Sequence, residues 1–188
     1  MTSKQVKVGV FIPSKCQLLD AACIDILAMA SKEYLDSIPL LPQHVRDLST
    51  SVSISYIAPG ATIPMTAGFN VQATHDLSHP DVQPGKLDVV LVPGPDPSAT
   101  WDEETLGFLR EHAKIETTDV LSVCTGINLC AAAGITEGKT VCGPRGLQND
   151  LRKKYPGTKF VGEKYRWVQD GNLWSSGKPT LSHVRPER

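Results

Sequence analysis

The chain has 188 residues, 40% of them hydrophobic and 21% charged, which is enough for one well-buried core and short for two. Its formal net charge is -1, from 19 Lys plus Arg against 20 Asp plus Glu. No field gathers nucleic acid or an anionic membrane, and a small uncharged molecule suits it better as a partner. Met1-Thr2-Ser3-Lys4-Gln5-Val6-Lys7 is no apolar leader, and no later run is long enough to span a bilayer. The five cysteines, Cys16, Cys23, Cys124, Cys130 and Cys142, form an odd set without paired spacing. Free thiols, no metal site, no cofactor and a cytoplasmic location are therefore expected.

In chain order, Val6 to Ile12 is a nearly unbroken apolar run closed by Pro13, the pattern of a strand buried on both faces of a parallel sheet. Leu18 to Leu35 follows helical spacing, with Leu19, Cys23, Ile26, Leu27 and Ala30 on one stripe. Ser51 to Tyr56 alternates as a strand does. Pro59 to Val71 reads as a hairpin or loop ahead of the next buried strand, Leu87 to Val92. Glu103 to Lys114 is a helix with Leu106, Leu109 and Ala113 on one face, and Asp119 to Val123 is another buried strand. Gly126 to Ala133 is a helix stopped by Gly134, and Leu147 to Tyr155 one ended by Pro156-Gly157. Short strands follow around Phe160-Val161, Arg166 to Gln169 and Leu173 to Ser175. This alternation predicts an α/β fold with a doubly wound, mostly parallel sheet. It forms one domain over residues 1–188, of which 178–188 is an irregular tail.

One cysteine stands out. In Val120-Leu121-Ser122-Val123-Cys124-Thr125-Gly126 a buried strand must turn abruptly into a helix, the setting of a nucleophile elbow. There a side chain projects from the carboxyl edge of the sheet toward helix N–H groups that favour negative charge. A thiol so placed ionises more readily than a free cysteine. The alternative is a small core residue, the commoner fate of a cysteine, and the strand-turn-helix context favours the nucleophile. Cys23 and Cys130 fall on apolar helix faces and read as packing, while Cys16 and Cys142 lie near strand ends from which either can approach the site. Asp20 opens the first helix on the same sheet edge, where it either caps that helix or faces the cysteine.

Val8-Gly9-Val10-Phe11-Ile12-Pro13, Gln17-Leu18-Leu19-Asp20, Leu91-Val92-Pro93-Gly94, Ser122-Val123-Cys124-Thr125-Gly126 and Ala133-Gly134-Ile135-Thr136-Glu137-Gly138-Lys139 together resemble the DJ-1/PfpI superfamily, and within it isocyanide hydratase and its fungal relatives. The resemblance implies a flavodoxin-like three-layer sandwich, as in class I glutamine amidotransferases. It also implies that Cys124 is the nucleophile, that Asp20 is its proton donor or acceptor, and that backbone N–H groups at Gly94 and Thr125, beside Gly126, face a developing oxyanion. The activity implied is a cysteine-dependent hydratase or hydrolase acting on a small electrophile, isocyanide-like or a reactive carbonyl. The alternative is a non-catalytic, redox-responsive or protective protein that senses oxidation at Cys124. A homodimer is compatible with the family.

The sequence departs from the family pattern in three places. Pro95 replaces the second glycine of Pro-Gly-Gly and has no N–H, so one donor is lost or relocated to Asp96. No histidine lies in Thr140-Val141-Cys142-Gly143-Pro144-Arg145-Gly146, where Cys142 and Arg145 remain as pocket candidates. His44, His75, His79, His112 and His183 fall in loops, at a helix end or in the tail, and are expected at the surface. After Gly177 the sequence turns to Lys178-Pro179 where the family continues into a long helix, which leaves an apolar face of the sheet uncovered. Trp101 reads as a partly buried anchor.

Overall fold

The computed structural model describes residues 5–177, so the expected irregular tail, His183 included, lies outside the described residues. The chain opens with β1 (Val6–Phe11), whose residues are buried from Val8 onward because the strand is covered on both faces. Four short helices follow: α1 (Leu18–Ala21), α2 (Ile24–Met29), α3 (Lys32–Asp36) and α4 (Gln43–Arg46). The single helix expected over Leu18 to Leu35 is therefore three pieces. Ser31 breaks it with an extended backbone (φ -70, ψ 153) and a hydroxyl that accepts the Tyr34 N–H at 3.2 Å, which caps α3. Ser31 is held there by a bridge to Thr50. The expected inward stripe is also displaced, since Leu19 and Ile26 are 63% and 71% exposed and Ile24 is the buried residue of α2.

Next come β2 (Val52–Ile57), the hairpin β3 (Thr62–Pro64) and β4 (Asn70–Gln72), then β5 (Val89–Val92), α5 (Glu103–Ala113), β6 (Asp119–Val123) and α6 (Gly126–Ala132). The chain closes with β7 (Thr140–Val141), α7 (Gln148–Lys154), β8 (Lys159–Phe160), β9 (Trp167–Asp170) and β10 (Leu173–Ser176). Six strands form the central sheet in the order β2-β1-β5-β6-β10-β9. All neighbours are parallel except β9, which pairs antiparallel with β10. The register sets Val10 beside Leu91 and Val92 beside Ser122, so β1, β5 and β6 end together at one carboxyl edge.

Each face of the sheet has its own core, as the alternating direction of strand side chains requires. Val90, Val92, Val120 and Leu173 pack with Phe108 and Leu109 of α5, Ile127 and Leu129 of α6, and Leu151 of α7. On the other face Val8, Val10, Leu91 and Val123 pack with Ile24 and with Ile63 and Met65 of the hairpin region. The result is the expected doubly wound, three-layer sandwich. The β5–α5 loop holds Trp101 against the first of these cores, as an anchor.

Candidate active site

β6 must become α6 within two residues, and Cys124 absorbs the reversal by taking φ 56, the one non-glycine residue with positive φ among those described. For a residue with a Cβ that conformation costs about 1–2 kcal/mol, so the surroundings must impose it. Cys124 donates its N–H to the Ser176 carbonyl of β10 at 3.0 Å. Gly126 seats the start of α6 directly on β5: a Cβ there would lie 2.2 Å from the Val92 carbonyl oxygen. Between them Thr125 is buried and donates its hydroxyl to the Pro95 carbonyl at 2.9 Å, tying the elbow to the loop after β5 instead of capping α6. The sulfur of Cys124 is left half-buried against the second core.

Asp20 of α1 comes to this elbow from the end of β1 and is 2% exposed. Burial raises its pKa from 3.8 to about 6, because a charge is hard to keep where water is excluded; hydrogen bonding with the Cys124 side chain and the Gly94 N–H pulls the other way. Oδ2 has no partner at full hydrogen-bond geometry among the described residues, so those contacts leave the anion under-supported and burial wins. Gly94 is the residue that makes room: a Cβ there would lie 2.0 Å from Asp20 Oδ2 and 2.6 Å from Thr125 Oγ1. Asp20 therefore faces the cysteine, and in doing so acquires a pKa at which it can hold or release a proton near neutrality.

The loop after β5 differs from the expected oxyanion pocket. The Gly94 N–H faces the Asp20 carboxyl, Pro95 has none, and the Asp96 N–H donates to the Lys15 carbonyl at 2.9 Å. The missing donor is thus not relocated to Asp96, whose carboxylate is occupied by the Ser98 N–H and hydroxyl. This loop is paired with the segment before α1 through a Cys16–Pro95 bridge and the Gln17 N–H to Gly94 carbonyl bond at 3.2 Å. At the elbow itself, the N–H groups of Thr125 and Gly126 make no backbone hydrogen bond among the described residues.

None of the five cysteines forms a disulfide among the described residues. Cys16 does approach the acid: burial, then the Asp20 charge, pushes its thiol up to about 12, and it donates to the Gln17 carbonyl. Cys23, read as packing, also lies beside this acid. Its thiol donates to the Asp20 carbonyl at 3.0 Å and is pushed up to about 11 by burial first and the Asp20 charge second. Burial alone takes Cys142 to about 11, and its thiol bonds the Tyr165 carbonyl; Cys130 is fully buried at about 12. These four are held as thiols. Arg145 is exposed at the start of a short 3-10 turn.

His112 corrects the expectation of a surface residue. It is fully buried, with Nδ1 2.9 Å from the Phe108 carbonyl and Nε2 3.0 Å from the Val82 carbonyl. No local pattern around His112 marks this, because the second carbonyl lies 30 residues away. Beside α2, a groove of about 480 Å³ runs over β5, β6 and β10, lined by Val89, Leu91, Leu121, Val123 and Trp174 and bordered by Cys23.

Residues 40–183 match the DJ-1/PfpI family. The chain belongs to the DJ-1/PfpI family. The matched residues include Cys124 and begin after Asp20. The isonitrile hydratase of Pseudomonas putida is 33% identical over 117 residues, covering 61% of this chain and 48% of that protein, so the chain spans about half the length of this relative. Among solved structures, a DJ-1 superfamily protein from Salmonella typhimurium superposes with a TM-score of 0.67 at 19% identity, covering 93% of this chain and 82% of that one. An AraC family transcriptional regulator from Pseudomonas putida gives 0.69 at 15% identity, with 93% and 84% covered. These two likenesses establish the fold alone.

Proposed function

We propose that this DJ-1/PfpI chain is a cysteine-dependent hydratase or hydrolase for a small neutral electrophile, with Cys124 as nucleophile and Asp20 as proton donor and acceptor. The observation that carries it is a buried carboxyl, raised to about 6, hydrogen-bonded to a thiol held at φ 56 on a strand-to-helix elbow. With an isocyanide the sulfur bonds the terminal carbon while Asp20 supplies the proton that carbon gains. Water then adds to the same carbon, nitrogen takes a proton, and the carbon-sulfur bond breaks to release an N-substituted formamide and the thiol. The identity to the Pseudomonas isonitrile hydratase supports this substrate class; a reactive carbonyl such as a glyoxal is the second class. We place the protein in the cytoplasm, since five cysteines without a disulfide suit a reducing compartment. The partners we propose are a small-molecule substrate and, as a dimer, a second copy of the chain.

One observation favours a second reading. With Gly94 turned to Asp20, Pro95 lacking an N–H and Asp96 bonded to Lys15, stabilisation of a tetrahedral intermediate rests on the elbow amides alone. Cys124 would then serve as a sensor, oxidised by peroxide to a sulfinate that a protonated Asp20 holds by hydrogen bonding. The test gives wild-type, Cys124→Ala and Asp20→Asn proteins an aryl isocyanide and methylglyoxal in turn, with intact mass recorded after mild peroxide. Formamide or hydroxy-acid production lost in Cys124→Ala supports the enzyme. Selective oxygen addition at Cys124 without turnover supports the sensor, and equal turnover in Cys124→Ala refutes both.

A further inference from the structure

Away from the elbow, one group of metal-ligating side chains converges among the described residues: His75, His79 and Asp81, each offering one ligand atom, all within 4.8 Å of one another. The backbone of His75 is fixed at the end of β2. Its N–H donates to the Tyr56 carbonyl, its carbonyl accepts the Ala58 N–H, and it bridges Ile57. Its Nδ1 lies 2.8 Å from Thr74 Oγ1, which receives the Tyr56 N–H at 2.8 Å and lies 3.2 Å from the Tyr56 carbonyl. This contact holds the His75 ring in place at the end of β2, and a ring oriented by a hydrogen bond is the usual support of a metal-binding histidine.

The second imidazole meets the first edge-on, with ring centroids 4.3 Å apart at 84°. His79 precedes the short 3-10 turn Pro80–Val82, and its Nδ1 lies 3.9 Å from Asp81 Oδ2. The competing bond is long, since the Asp81 N–H reaches His79 Nδ1 at 3.3 Å. Beneath these groups the loop is pinned: Leu77 and Val82 are buried, and the Gln83 amide donates to the carbonyls of Leu77 and His79 at 2.8 and 3.0 Å. Asp76 is taken by Ser78 and is not a fourth ligand.

We infer that His75, His79 and Asp81 form a binding site for a borderline divalent cation of the Zn²⁺ type, distinct from the Cys124 site. Two imidazoles and a carboxylate are ligands that suit zinc, which takes bonds of about 2.0–2.2 Å and keeps a water where only three protein ligands are offered. The side chains that would close on it are half-buried at His75 and His79 and exposed at Asp81. The ion would staple the 75–82 loop to the end of β2.

The test titrates Zn²⁺ into the full chain by calorimetry and records the absorption spectrum of the Co²⁺ complex. The expected result is one equivalent bound with micromolar affinity, cobalt d–d bands without sulfur-to-metal charge transfer, and loss of one-to-one binding in His75→Gln/His79→Gln. Asp81→Asn, at an exposed position, carries the comparison if the double variant does not fold. Absence of one-to-one binding, binding unaltered in these variants, or a thiolate charge-transfer band placing the metal on cysteine would each overturn the site.

Discussion

Asp20→Asn separates the cost of the acid from its use. In the native protein the carboxyl is raised from 3.8 to about 6, so folding favours its protonated form. Such a group contributes its full stability below about pH 4, and the contribution is lost as pH rises through about 6. At about 1.4 kcal/mol for each unit between the two values, the loss at pH 7 is about 3 kcal/mol. Asparagine has no proton to lose, so the variant lacks this slope whatever its constant offset. Urea unfolding of both proteins at pH 4, 5, 6 and 7 gives the difference directly. The wild type should fall by about 2 kcal/mol relative to Asp20→Asn over that range, the remainder having been lost by pH 4. Two curves that stay parallel would show that Asp20 ionises freely, and the claim of a poised proton at the elbow would fail with it.

The substitution Gly94→Ala places a Cβ 2.0 Å from Asp20 Oδ2, and Gly126→Ala one 2.2 Å from the Val92 carbonyl. Both should lower stability by about 1–3 kcal/mol in urea, with Gly126→Ala the worse because backbone yields less than a side chain. Cys124→Gly should be more stable than Cys124→Ala by about 1 kcal/mol, since only glycine adopts φ 56 freely; equal unfolding midpoints would show the elbow unstrained. Burial holds the His112 pKa below 6.5, so its contribution is present above pH 6.5 and lost as pH falls below that value. A urea midpoint that drops between pH 6.5 and 5, and drops less in His112→Gln, is the expected sign, opposite to that of Asp20.

The buried strands were legible because burial on both faces writes a nearly unbroken apolar run, as in Val8 to Ile12 and Val89 to Val92, whatever they pair with. Cys124 was legible for a related reason: a strand, two residues and a helix leave the chain one way to turn. The break in Leu18 to Leu35 was hidden because it depends on Thr50, which holds Ser31 extended from across the fold. The same holds for His112, buried by the Val82 carbonyl, and for the Asp96 amide, taken by Lys15. Asp20 could be placed on the correct edge, but its choice between capping a helix and facing a thiol was decided by Gly94, whose missing side chain is the space the carboxyl occupies.

The departure at Pro95 and the state of Asp20 are two sides of one arrangement. Proline accommodates the Cys16 bridge and still offers a carbonyl, and that carbonyl holds Thr125 by its hydroxyl. With Thr125 fixed and Gly94 facing inward, the acid meets one backbone amide and one thiol, too few donors to support a full negative charge in a site that is 2% exposed. The loop therefore gives up an amide for an oxyanion and gains a carboxyl that keeps its proton to near neutrality. This exchange favours steps in which a proton is delivered to a carbon attacked by sulfur over steps that depend on a strongly stabilised oxyanion. Hydration of a carbon with no oxygen on it, as in an isocyanide, is chemistry of the first kind.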